Sequence, residues 1–314
     1  MVMPLEGPGG EPVDFLRTLL SHGIADLPPF FVDTGTPSLT VTLSLDRSVR
    51  TVTISPAGTG RMVIDAPGPG LSGPMERQII REVRRVLRLD EDLTEFYGMA
   101  AKDRSLSWAV KGAGRLIQSQ TVFEEVVKTI CTTNCAWSAT VRMVSALVAR
   151  LGRKTPGRDH TGRAFPTPEA VLNAGDEFFG TVARAGYRGR YITTLARMVV
   201  AGEIDLEGLA LNAPKPLSDD ETERRLLGLP GVGPYAAAHI MMMLGRYSRL
   251  ILDSWTRPKY ARLTGKAASD QEITRRFKKY GKYAGLAFWL FLTRDWVDEA
   301  GRAHRHSSTG NQPP

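Results

Sequence analysis

The sequence predicts an α+β protein, mostly α, with a small antiparallel β-sheet near its N-terminus. Three observations carry this prediction. Apolar residues alternate at every second position within 38–66, they recur at helical spacing from about residue 73 onward, and capping signals open several of the later segments.

In "SLTVTLSL", Leu39, Val41, Leu43 and Leu45 fall on one face of an extended chain. "SVRTVTIS" adds Val52 and Ile54, and "GRMVIDA" adds Met62 and Ile64. Turn residues such as "PAGTG" separate these runs, so they read as short antiparallel strands. From Gly73, Met75, Ile79, Ile80, Val83 and Leu87 mark one stripe of a helix. "TVFEEVVKTI" and "WSATVRMVSALVARLG" each carry a similar stripe. In "TPEAVLNA", Thr167 is placed to cap and Pro168 to fill the first helical position. "SDDETERRLL" and "SDQEITRRF" each open with a capping-box pattern, Ser218 with Glu221 and Ser269 with Glu272. "YAGLAFWLFLTRDW" reads as a last, strongly apolar helix.

This gives a flexible, Gly- and Pro-rich N-terminus at 1–12, a sheet-containing domain at 13–105, a helical body at 106–300 and a disordered tail at 301–314. Lys plus Arg number 41 against 33 acidic residues, a net +8 that favours a polyanionic partner, nucleic acid before membrane. Cys131 and Cys135 alone make neither a disulfide framework nor a four-ligand metal site. The five histidines are scattered, with His304 and His306 in the tail. The expectation is therefore no metal and no other cofactor. No apolar run reaches membrane-spanning length and no signal-peptide pattern opens the chain. A cytoplasmic monomer without a membrane partner is expected, associated with the nucleoid in a bacterium.

"LPGVGPYAAAHI" (229–240) reads as a glycine hairpin between two helices, the second starting at Pro234. Gly231 and Gly233 leave the backbone bare, and N–H groups at such a helix start suit a phosphate oxygen. By itself the turn is most simply an interhelical connector. Twenty residues past Gly233, "ILDSWTRPKY" brings Asp253, whose simplest role is a helix cap.

Hairpin and aspartate together resemble the helix–hairpin–helix (HhH-GPD) superfamily of DNA glycosylases. "RLDEDLTEFY", "TVFEEVVKTICTTNCAWSATVRMVSALVARLG", "FPTPEAV", "AGYRGRYI" and "KYGKYAGLAFWLF" resemble, in order, segments of 8-oxoguanine DNA glycosylases and of AlkA-like 3-methyladenine DNA glycosylases. The resemblance covers roughly residues 85–295. It implies the glycosylase fold, with the sheet domain preceding it, and double-stranded DNA carrying a damaged base as the partner. It implies that Asp253 is the catalytic carboxylate. Many relatives carry a lysine just after the hairpin, used to form a Schiff base. Here Tyr235 stands there, and a phenol cannot form an imine. Lys128 and Lys259 lie near relevant motifs, but neither matches that position.

By the same resemblance, Tyr187 is the wedge that fills the gap left by a flipped base. Arg188 touches the opposite strand, Arg190 adds to the DNA-binding surface, and Asn134 contacts the estranged base. Ala139 replaces an arginine that some relatives use to read cytosine. Phe288 stands where 8-oxoguanine enzymes place a glutamine, and Trp255 adds a second aromatic face to the base pocket. Phe288, Trp289 and Phe291 can equally be helix core. The function implied is a monofunctional DNA N-glycosylase of base excision repair that excises a damaged, alkylated purine. The alternatives are an oxidised-purine glycosylase with or without lyase action, and a non-catalytic DNA-binding protein.

Overall fold

The computed structural model describes residues 1–46, 48–68, 70–156 and 162–297. The tail expected at 301–314 lies outside the described residues. Five strands form one antiparallel sheet in the order β1-β5-β4-β3-β2. They are β1 (Val2–Pro4), β2 (Phe30–Asp33), β3 (Ser38–Ser44), β4 (Val49–Pro56) and β5 (Arg61–Asp65). The middle three are the alternating segments of the sequence. Leu39 pairs with Ile54, Val41 with Val52, and Ile54 with Ile64, so their apolar side chains share one face. The helices α1 (Phe15–Leu19) and α2 (Gly73–Val86) join that face in one core, where Ile79, Val83 and Val86 are completely buried. On the other face, the hydroxyls of Thr42, Thr51 and Thr155 form a chain at 2.9 and 3.0 Å that ties the sheet to the helical body.

Residues 1–12 depart from the expectation of flexibility. Val2 pairs with Val63 and Met3 with Met62 on the sheet edge. Glu11 is buried in an ion pair with Arg115 at 2.6 Å. Gly7 serves close approach rather than freedom: a Cβ there would lie 2.0 Å from the Glu11 carboxylate.

The body comprises α3 (Thr94–Ala100), α4 (Val122–Thr132), α5 (Trp137–Leu151), α6 (Pro168–Asn173), the short α7 (Gly175–Glu177), α8 (Tyr187–Val200) and α9 (Asp219–Leu227). It continues with α10 (Pro234–Met243), α11 (Thr256–Thr264), α12 (Asp270–Phe277) and α13 (Ala284–Thr293). Thr167 caps α6 and Ser269 forms a full capping box with Glu272. At α9 the Ser218 hydroxyl accepts from Glu221 N, but the Glu221 carboxylate turns to Arg224 and Arg225.

Two apolar clusters fill the body. One gathers α4, α5 and α8. The other packs residues 93–116 against α12 and α13, so the boundary expected at 105 falls inside a single core. Helix α10 serves both, giving Ala237 and Met241 to the first and Met242 and Met243 to the second. An all-apolar helix is stable only when buried on every side.

Two buried arginines join these layers. Arg88 Nη1 donates to Gln118 Oε1 and to Met243 O, both at 2.8 Å, while its Nε pairs with Glu91. Arg115 donates to the carbonyls of Arg88 and Glu91 as well as to Glu11. Removing one partner of a buried pair leaves a charge without compensation, at a cost of about 3–5 kcal/mol. Glu11→Gln is therefore expected to lower the urea-unfolding free energy by about 3 kcal/mol. The double variant Glu11→Leu/Arg115→Met should recover part of that loss. A single variant within error of the parent protein would show that the pair does not hold the N-terminus.

Candidate active site

The hairpin joins α9 to α10, and its two glycines have different roles. Gly231 has φ +76°, and a Cβ there would lie 2.5 Å from the Tyr191 ring. Gly233 has φ −97° and ψ −176°, an extended conformation open to any residue, with nothing within 4 Å of its Cβ position. Only Gly231 needs the left-handed region. Neither glycine N–H has an acceptor among the described residues, and Gly233 is exposed at the start of α10. This is the bare donor geometry that an anionic oxygen can use.

Asp253 lies just ahead of α11. Its Oδ1 accepts from Trp255 N at 2.8 Å and Thr256 N at 2.7 Å, and its own N–H donates to Thr256 Oγ1 at 2.8 Å. It thus works as a helix cap, the simplest role read for it, and is half-buried. Its Oδ2 takes no partner among the described residues. The carboxylate is fixed by backbone and keeps one oxygen for another group. It acts electrostatically on His239 and Tyr235, one turn apart on α10.

Around it stands an aromatic wall. Trp255, Trp289 and Trp296 lie within 5.7–5.8 Å of one another, ring centre to ring centre. Phe288 is absent from this wall. It is fully buried against Phe277 and Tyr260, because consecutive residues of α13 point about 100° apart and Phe288 takes the core side. Its neighbour Trp289 takes the side facing Trp255. The Trp289 indole donates to Ser21 O at 2.7 Å, which brings the N-terminal layer to the site.

His22 follows Ser21. Its Nε2 meets Ile117 O at 2.7 Å, and its ring stands edge-on to His239 at 6.3 Å. His239 lies 6.0 Å from the Tyr235 ring. Burial holds both imidazoles neutral, pushing His22 down to about 3 and His239 down to about 4. Tyr235 is half-buried, and burial raises its phenol above the usual tyrosine range. Lys128 is buried in an ion pair with Glu124 at 2.7 Å, and Lys259 is buried and paired with Asp295 at 2.7 Å.

On the adjacent surface, Tyr187 opens α8 and is 52% exposed, and Arg190 is exposed beside it. Asn134 is exposed in the left-handed region (φ +47°) just past α4, a conformation asparagine tolerates. Arg188 is not available to an opposite strand. Its guanidinium is buried on the carbonyl of Thr133, where a cation satisfies the end of α4.

The sequence reading missed His22 and His239. The four-residue step from Tyr235 to His239 could have placed the second on the same helix face. Nothing local marks the first, whose partners lie about a hundred or more residues away. A cavity of about 480 Å³ does open elsewhere, lined by Arg84, Arg88, Arg246, Tyr247 and Tyr283. Its arginines already pair with Asp90, Glu91 and Asp219, so it is an ion-paired seam between layers. Among the described residues no helix is long and apolar enough to cross a membrane.

No protein-family model matches the chain. A probable N-glycosylase/DNA lyase of Methanothermobacter thermautotrophicus is 23% identical over 203 residues, 58% of this chain and 63% of that protein. A DNA-3-methyladenine glycosylase of Bacillus subtilis is 24% identical over 182 residues, 56% of this chain and 58% of that protein. Both matches span less than two thirds of the relative's own length. Among solved structures, a 3-methyladenine DNA-glycosylase from Archaeoglobus fulgidus superposes with a TM-score of 0.71 at 20% identity, over 93% of this chain and 98% of that one. An 8-oxoguanine glycosylase/lyase from Clostridium acetobutylicum gives 0.66 at 20% identity, over 87% and 93%. Likeness at this identity establishes a shared fold.

Two outcomes follow from this geometry. Gly231→Ala should cost about 1–3 kcal/mol of stability through strained φ and the Tyr191 clash. Gly233→Ala should leave the thermal midpoint unchanged. Equal midpoints in the two variants would refute the division of roles. The second outcome concerns pH. The unfolded chain protonates both histidines near pH 6.5, whereas the folded protein does so only near 3–4. Their contribution is therefore complete above 6.5 and is lost as pH falls toward 4, at up to about 2.7 kcal/mol per pH unit for two protons. Chemical unfolding from pH 7 to 4.5 should show a shallower loss in His22→Phe/His239→Phe than in the parent protein. Parallel curves would mean that the rings are solvated.

Proposed function

We propose that this chain, which has the fold of the helix–hairpin–helix DNA glycosylases, is a monofunctional DNA N-glycosylase of base excision repair. It extrudes a damaged purine from duplex DNA and hydrolyses its glycosidic bond, leaving an abasic site. The observation that carries this reading is Asp253, held by two backbone N–H groups with one oxygen left over, facing a helix that offers Tyr235 instead of an amine.

The chemistry follows from these groups. The unpartnered N–H groups of Gly231 and Gly233 hold a backbone phosphate, without reading sequence. Tyr187 enters the stack where the base has left, which offsets part of the unstacking cost of a few kcal/mol. Asn134 and Arg190 line the same surface. As the C1′–N bond lengthens, its electron pair leaves with the base and positive charge grows on the sugar. The Asp253 carboxylate stabilises that charge. Water then adds at C1′; its proton passes to the departing base or, where a cationic base leaves neutral, to solvent, so base and abasic strand separate. Imine formation needs an amine. Tyr235 supplies none, and Lys128 and Lys259 are both engaged in buried ion pairs.

The tryptophan wall favours an alkylated purine over an oxidised one. Indole faces attract electron-poor or cationic rings. The oxidised-purine reading draws on the relatives named for lyase activity, yet it lacks both the lysine and the glutamine that the resemblance would require. A binding-only protein could keep Asp253 as a cap, so the test must separate cap from catalyst.

Duplexes each bearing one defined lesion, scored with and without alkali, provide that test. An alkylated purine should give cleavage only after alkali, and borohydride should yield no cross-linked enzyme. Asn caps a helix about as well as Asp, so Asp253→Asn should fold normally. It should also lose about 10²-fold or more in single-turnover excision. A borohydride adduct, or full activity in Asp253→Asn, would overturn the mechanism.

A further inference from the structure

We infer that His22 and His239 are specificity-determining residues: they form an uncharged polar floor of the base pocket, and His22 Nδ1 accepts a hydrogen bond from the exocyclic amino group of an adenine-type base. The inference rests on the glycosylase reading for its pocket, and on the following geometry for its chemistry.

A carbonyl oxygen can only accept, so the 2.7 Å contact between His22 Nε2 and Ile117 O requires the proton on Nε2. In the neutral ring, Nδ1 then carries a lone pair. That nitrogen is buried and has no hydrogen-bond partner. His239 Nε2 is likewise buried and unpartnered. Native interiors rarely leave such atoms unmet, and here two lie on adjoining rings 6.3 Å apart. The pair sits where three layers meet. Trp289 is bonded to the residue before His22, Tyr235 lies one turn before His239, and Asp253 is close enough to act on His239.

The charges that bear on His22 are Lys128 and Arg88, with the ring of His239; all act against its protonation. Asp253 acts in the opposite sense on His239, but burial outweighs it. The floor therefore stays neutral and its acceptor stays an acceptor. An exocyclic amino group is a donor in every common state of the base, whereas an unsubstituted ring edge offers His22 only lone pairs. His239 Nε2 can then serve a neighbouring ring nitrogen of the base, taking whichever tautomer that nitrogen needs. An acceptor-only edge would leave two lone pairs opposed in a buried site, the arrangement by which polar pockets reject analogues most strongly.

The test observes the nitrogen directly. The intact protein, labelled with ¹⁵N-histidine and assigned with His22→Phe and His239→Phe, is titrated with adenine and, separately, with unsubstituted purine, each as its 9-methyl derivative so that the exocyclic amine is the one N–H donor by which they differ. Adenine should move the His22 Nδ1 resonance upfield saturably, and purine should leave it in place. No shift with adenine, or an equal shift with purine, would overturn the inference and leave that nitrogen to water alone. The measurement needs no turnover. A protein that excises no lesion would defeat the glycosylase reading, while the adenine shift still decides the role of His22. A second readout guards against a merely structural role. His22→Phe should bind DNA containing a tetrahydrofuran abasic analogue as the parent does, yet excise alkyladenine at least about tenfold more slowly. Weakened abasic binding by the same factor would also overturn the inference.

Discussion

The guanidinium groups of Arg88 and Arg115 are buried, and a buried cation must be met by acceptors. Those acceptors come from distant parts of the chain: the carboxylates of Glu11 and Glu91, the Gln118 amide, and the carbonyls of Arg88, Glu91 and Met243. Meeting that demand fixes the N-terminal segment, the end of α2 and the end of α10 against one another. A Cβ on Gly245 would lie 2.0 Å from Arg88, so the chain leaving α10 passes close over the guanidinium. The candidate site depends on this arrangement. His22 comes from the first layer, Tyr235 and His239 from α10, and Asp253 and Trp289 from the last helices.

Helix α10 then sets the distances. From Ala236 to Met243 it is buried between two apolar cores and cannot shift without exposing one of them. Its N-terminus emerges beside the hairpin. Six residues, about 9 Å of helix, separate the bare amide of Gly233 from His239. The hairpin amide and the His239 imidazole are therefore held at a fixed separation on one rigid rod. Asp253 is placed from the other side by the start of α11. Its two backbone bonds fix the carboxylate without using both oxygens.

Much of this was legible in the sequence, for identifiable reasons. Alternation exposed β3, β4 and β5 because one of their faces is covered. Caps exposed α6 and α12 because Ser and Thr side chains must meet local N–H groups. The hairpin and Asp253 were legible because glycine and aspartate act on their own backbone. Less was legible where partners are remote. β1 depends on pairing with a strand about sixty residues away, and His22 is defined by Ile117 and His239. Phe288 and Trp289 are adjacent, aromatic and both buried, so only the phase of α13 tells which of them meets Trp255. Arg188 sat in a motif rich in exposed cations, and only the carbonyl of Thr133 reveals its structural role.

The bond from the Trp289 indole to the Ser21 carbonyl has a consequence for modularity. The small sheet is not an accessory that the helical body carries. One tryptophan of the aromatic wall is tied to the N-terminal layer by a single backbone oxygen, and the same short stretch supplies the imidazole that stands against His239. Excising that layer to make a minimal scaffold would remove His22 from beside His239 and unseat an indole. A change in how residues 20–23 enter the fold would reshape the candidate site as surely as a change in its own residues. In this architecture the candidate site can diverge through its least helical part, while the hairpin and the aspartate stay as they are.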